Sequence, residues 1–255
     1  MISLSKKILY QRYGRMFLSS YRRWLSENTF KNTNSVVVSG PYKNLKISEI
    51  SNWGKGDLIG KINGTYELSV AQKLFDLVHS RKITTFVDIG CADGFHATGI
   101  GSIDSIKDVI CFDIDEISLG NCQYNAIANG IVNKFKFQNR KFTKTDLVSV
   151  PDNSLILIDI EGAEYELLDE DYLQLHKRKK ITSVVELHSS KMNSPLIERV
   201  NAAGLQAELF SISKIEIDYK NDIKCLDENQ FMLLLSQGRR DYQEWLEIKD
   251  MDPCI

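Results

Sequence analysis

The chain has 255 residues, 43% hydrophobic and 26% charged, with 32 basic against 34 acidic side chains and a formal charge of -2. That composition is ordinary for a globular protein with one substantial core, and the charge balance argues against a broadly basic nucleic-acid surface. The five cysteines, at 91, 111, 122, 225 and 254, form no C-x-x-C pair and fit a reduced, cytoplasmic protein, and no apolar run approaches the ~20 residues of a membrane span.

Residues 2–26 carry Leu9, Tyr13, Met16, Phe17, Tyr21 and Trp24 at helical spacing, while six basic residues, Lys6 to Arg23, precede the first acid, Glu27. This predicts an amphipathic helix that packs on the domain or on a second copy of the chain, a membrane surface being the weaker alternative. Ile8-Leu9-Tyr10 is too short for the apolar region of a signal peptide. Val36-Val37-Val38 predicts a strand, and the glycines at 54, 56, 60 and 64 predict a loop over Ser51–Glu67 that approaches the main cleft. Residues 1–64 thus form an extension, and 65–255 the main domain.

That domain alternates strands with helices. A helix over Ser69–Ser80 leads to Phe86-Val87-Asp88-Ile89, an apolar strand that ends in a turn bracketed by Gly90 and Gly94. A helix follows, then the strand Val109–Asp115, then a helix that the Asn129-Gly130 pair stops. Further strands are predicted at Phe135–Phe137, Ser154–Asp159, Ile181–Glu186, Lys214–Tyr219 and Phe231–Ser236, with helices over Glu161–Tyr172 and Met192–Ala203. Such alternation implies an α/β fold with a parallel sheet covered on both faces.

The turn lacks the third glycine of the G-x-G-x-x-G dinucleotide fingerprint, which argues against a nicotinamide cofactor. Asp88, two residues before Gly90, suits a ligand with a charged amino group. Asp113, about 20 residues beyond the turn at the tip of the next strand, is placed to accept ribose hydroxyls. A helix cap is its bland alternative, although Asp115 before Glu116 suits that duty better. Asp159-Ile160-Glu161-Gly162-Ala163-Glu164 and, one strand later, Glu186-Leu187-His188 put acids and an imidazole at neighbouring strand tips, where open α/β sheets bind ligands. An N-P-P-Y-type motif for holding a flipped base is missing, which speaks against a nucleic-acid substrate.

Together, Asp88–Gly94, Asp113 with Asn125, Asp159–Glu164 and Glu186-Leu187-His188 resemble the FkbM-type family of S-adenosylmethionine-dependent methyltransferases, over about Thr65 to Ser236. The resemblance implies a Rossmann-like, doubly wound sheet of seven strands with the last antiparallel, and methyl transfer to a hydroxyl of a saccharide or nucleotide-linked sugar. Another small-molecule acceptor and a non-catalytic S-adenosylmethionine-binding module are the alternatives. The expected cofactor residues are Glu67, Asp88, Gly90, Ala92, Gly94, Asp113, Ile114 and Asp159. The expected catalytic residues are His188 as the base, with Asp159, Glu161 and Glu186 around it. A Mg²⁺ or Mn²⁺ ion among these groups is the less favoured route, because no spacing such as H-x-x-x-H fixes a metal.

Overall fold

The structure is a computed structural model that describes residues 20, 23–24, 26–49, 55–211 and 243–251. Most of the predicted amphipathic helix and the strands predicted at 214–219 and 231–236 lie outside these residues. The described chain forms two compact units, one within residues 1–66 and one that begins at Glu67 and holds the sheet.

In the first unit, residues 26–32 are helical, and the expected Val36–Val38 strand is reduced to one antiparallel bridge between Val36 and Lys46. The loop expected over Ser51–Glu67 is corrected as well, since Lys55–Ile62 is a helix. Leu58, Ile59 and Ile62 recur at helical spacing and are fully buried. Their burial outweighs the ~1 kcal/mol that Gly60 costs inside a helix.

The second unit is a seven-stranded sheet of order β3-β2-β1-β4-β5-β7-β6, built from β1 (Thr85–Ile89), β2 (Asp108–Asp113), β3 (Phe135–Asn139), β4 (Leu155–Ile158), β5 (Thr182–Leu187), β6 (Leu205–Ser211) and β7 (Glu244–Asp250). The first five strands are parallel, and β7 inserts antiparallel between β5 and β6. The fold is therefore the mixed, doubly wound α/β architecture expected, with its last strand antiparallel. β1, β4 and β5 are buried at every residue, which is why none of them alternates apolar with polar positions; β4 is apolar throughout, and β1 and β5 carry buried polar residues beside their apolar ones. On one face Val87, Ile156, Ile158 and Val185 share a core with Tyr172, Leu173, Leu196 and Val200 from the covering helices.

The helix expected over Glu161–Tyr172 is two helices, Glu164–Leu167 and Glu170–Arg178. Asp169 interrupts it in an extended conformation and caps the second piece by accepting from the Tyr172 N–H at 3.0 Å. Helices over Leu68–Ser80 and Ser190–Ala202 match expectation. None of the described helices is long and apolar enough to cross a membrane.

Candidate active site

β1 and β4 are neighbours at the point where strand order reverses, the position at which open α/β sheets bind ligands beyond their carboxyl ends. The β1 turn is drawn tight there. Gly90 N–H and Cys91 N–H both donate to the Phe112 carbonyl of β2, at 2.8 and 3.1 Å. Gly90 (φ 84°) and Gly94 (φ 72°) occupy the left-handed region, and Ala92 joins them at φ 49°. A Cβ on Gly90 would strike the Asp159 carbonyl oxygen, and one on Gly94 would strike the Cys122 sulfur, so the glycines serve packing as well as approach.

Asp113 ties this turn to the tip of β2. Its Oδ2 accepts from Ala92 N–H at 2.9 Å and its Oδ1 from Asp115 N–H at 2.8 Å. Each oxygen keeps a further lone pair for a ligand. The capping duty falls to Asp115, which accepts from the Ile117 and Ser118 N–H groups, as the sequence suggests. Asn125 donates to the Asp93 carbonyl at 2.8 Å, holding the far side of the turn, and Ile114 stands 70% exposed beside Asp113.

Asp88 does not face solvent. It is buried in the strand, and burial first, then the neighbouring Cys91 and Asp113, push its carboxyl well above the ordinary range. Glu67, in a left-handed conformation at φ 45°, meets His96 Nε2 at 2.9 Å, and both side chains are buried. Sequence reasoning missed His96. It lies 29 residues from Glu67, and only proximity to the glycine turn marked it.

The expected catalytic residues come together at the tips of β4 and β5. Asp159 N–H continues the ladder to the Ile89 carbonyl at 3.0 Å. The chain then turns through Glu161 (φ 56°) and Gly162 (φ 100°), returning Glu164 beneath the turn. Glu164 is fully buried and accepts from Ile160 N–H at 2.9 Å. His188, directly after β5, sets Nδ1 3.0 Å from Glu164 Oε1 and turns Nε2 toward three other carboxylates. Those distances are 3.5 Å to Asp159 Oδ1, 3.5 Å to Glu161 Oε2 and 3.9 Å to Glu186 Oε2. Gln243, just before β7, donates to Glu186 Oε1.

The electrostatics follow from burial and crowding. Burial, then Glu186 and Glu67, raise Asp159 well above the usual carboxylate range, and burial with Glu67 raises Glu186. Burial opposes ionisation of Glu164 too, but the His188 hydrogen bond and nearby backbone N–H groups outweigh it and lower its pKa. The Glu164 hydrogen bond raises His188 against the opposing effect of burial. Glu164 is thus the fixed charge that orients the ring.

No protein-family model matches this sequence, and no curated protein matches it. Among solved structures, precorrin-6y C5,15-methyltransferase from Geobacter metallireducens matches with a TM-score of 0.50 and 12% identity, over 72% of this chain and 89% of that one. The delta-N METTL16 MTase domain matches with a TM-score of 0.52 and 13% identity, over 73% of this chain and 82% of that one. At such identities the likeness is one of fold: the sheet is of the Rossmann-like kind found in methyltransferases.

Proposed function

We propose that this chain is an S-adenosylmethionine-dependent methyltransferase acting on a hydroxyl, most specifically one of a saccharide or nucleotide-linked sugar. The observation that carries the reading is Asp113, whose two oxygens each hold one backbone N–H of the surrounding turns and keep lone pairs for a ribose diol. The left-handed glycine turn beside it lets backbone approach a ligand without Cβ interference. The resemblance of Asp159–Glu164 and Glu186-Leu187-His188 to the FkbM-type family supports the sugar hydroxyl. The same acid and imidazole cluster favours an enzyme over a binding module on this fold, which would need no such groups.

S-adenosylmethionine supplies an electrophilic methyl group on a positively charged sulfur. The chain's own tasks are to hold the nucleoside, aim the acceptor oxygen and take up the hydroxyl proton, since an alcohol is a poor nucleophile at neutral pH. His188 and the carboxylates around it are the groups suited to the last task. Calorimetry should find micromolar binding of S-adenosylmethionine or S-adenosylhomocysteine. Asp113→Ala should weaken it about ten- to a hundredfold, the loss of ~1.5–3 kcal/mol of charge-assisted hydrogen bonding. No binding by the wild type, or equal binding by the variant, would remove the cofactor assignment.

His188→Ala should leave cofactor affinity within about twofold of wild type while cutting turnover by about a hundredfold or more. Mass spectrometry of a sugar-nucleotide panel incubated with the protein and S-adenosylmethionine reads this as a gain of one methyl per acceptor. Turnover that survives the substitution would sink the role given to this cluster.

A further inference from the structure

We propose that Asp159, Glu161 and His188 form a divalent-cation site, of the kind Mn²⁺ fills, beside the place where the acceptor hydroxyl binds. The proposal rests on the methyl-transfer reading only for what the ion would do there, and its ligands stand on geometry alone. The ligand atoms Asp159 Oδ1, Glu161 Oε2 and His188 Nε2 all lie within 4.8 Å of one another. Nε2 is 3.5 Å from each of the two oxygens. That is too long for a good N–H···O bond. It is instead the separation of neighbouring ligands about one ion, because metal bonds of ~2.0–2.2 Å put adjacent ligand atoms ~3.0–3.5 Å apart in octahedral or tetrahedral shells.

Two observations beyond the closeness of the three groups point to a ligand. Asp159 Oδ1 is inaccessible to solvent and has no hydrogen-bond donor, an orphaned acceptor aimed at the shared space. The other ring nitrogen of His188, 3.0 Å from Glu164, is held by a carboxylate that is itself fully buried. A metal-bound histidine characteristically gives its second N–H to such a carboxylate, which fixes the tautomer and points the lone pair of Nε2 at the ion. Glu164 is then a positioning residue. Two carboxylates and a neutral imidazole balance a 2+ charge, and the oxygen-rich set with one nitrogen suits Mn²⁺ better than Mg²⁺, which prefers oxygen throughout. An ion at this place would lower the pKa of a bound hydroxyl; with both ring nitrogens of His188 then engaged, the proton would pass to a neighbouring carboxylate such as Glu186, and His188 would serve as a ligand in place of the base.

The test titrates Mn²⁺ into EDTA-treated, dialysed full-length protein and follows the free-ion signal by electron paramagnetic resonance, with S-adenosylhomocysteine calorimetry on the same samples. The expected result is one Mn²⁺ per chain. Binding should be lost in Asp159→Asn and in His188→Gln, and weakened about ten- to a hundredfold in Glu164→Gln, each variant being checked for folding by circular dichroism. Failure of the wild type to bind Mn²⁺, or equal binding by Asp159→Asn and His188→Gln, overturns the site. S-adenosylhomocysteine binding without Mn²⁺ binding overturns the metal site and leaves the methyltransferase reading standing. Mn²⁺ bound at these residues without S-adenosylhomocysteine supports the site and removes that reading.

Discussion

Alanine at Gly90 should cost several kcal/mol of stability and abolish measurable binding of S-adenosylhomocysteine. Two penalties add. A residue with a side chain at φ 84° pays roughly 1–2 kcal/mol for the left-handed backbone. The new Cβ also meets the Asp159 carbonyl oxygen, which is backbone and cannot swing aside, so β1 and β4 must part at their tips. Gly120 supplies the control. It is exposed in the Glu116–Ala128 helix, a Cβ there meets nothing within 4 Å, and alanine should stabilise the protein by about 0.5–1 kcal/mol. Urea titrations of the two variants should therefore move the midpoint in opposite directions. A Gly90→Ala protein with wild-type midpoint and affinity would disprove the close approach of the two strand tips.

Stability should fall as pH drops from about 6.5 toward 4.5 by more in the wild type than in His176→Gln. His176 is fully buried, its Nε2 lies 3.0 Å from Ser183 Oγ and its Nδ1 has no partner. Burial alone lowers its pKa to about 3, against an ordinary value of 6.5. Below pH 6.5 the unfolded chain therefore binds a proton that the folded chain refuses, and the cost grows by ~1.4 kcal/mol per pH unit until the folded pKa is reached. By pH 4.5 the difference is on the order of 3 kcal/mol, and glutamine, which cannot be protonated, removes it. Carboxylates titrate in both proteins and cancel in the comparison. Parallel slopes of unfolding free energy against pH would mean that His176 is not held neutral in the folded state.

The central strands were legible because each is a short apolar run closed by a carboxylate or a glycine, and burial on both faces leaves no other reading for such a run. β7 was not, because Glu247 sits in its middle and breaks the pattern. That acid is tolerated in the sheet because Lys73 and Lys249 reach it, each at 2.9 Å, and the pairing with Lys73 spans a separation that no local pattern reveals. β6 hid for a different reason: the last in the order of the described strands, it is mostly exposed and offers few buried apolar positions. The helix Lys55–Ile62 was masked by its glycines, although Leu58, Ile59 and Ile62 carried the helical spacing. In the site, the acids and His188 could be read from two short stretches. The grip of Glu164 on His188 and the Glu67–His96 pair could not, since each joins segments that lie 24 or more residues apart and meet only in the folded chain.

The insertion of β7 between β5 and β6 also fixes when the molecule can become whole. Emerging from a ribosome, the chain can assemble β1 to β5 early, but the one partner of β6 among the described residues is β7, and that pairing must wait for residues 244–250. Gln243 arrives with that strand and closes on Glu186, so the acidic site is completed by the same late event that seals the sheet. Chains interrupted before this point would expose the edge of β5 and a loose β6 to one another's, the kind of unpaired edge through which nascent proteins aggregate.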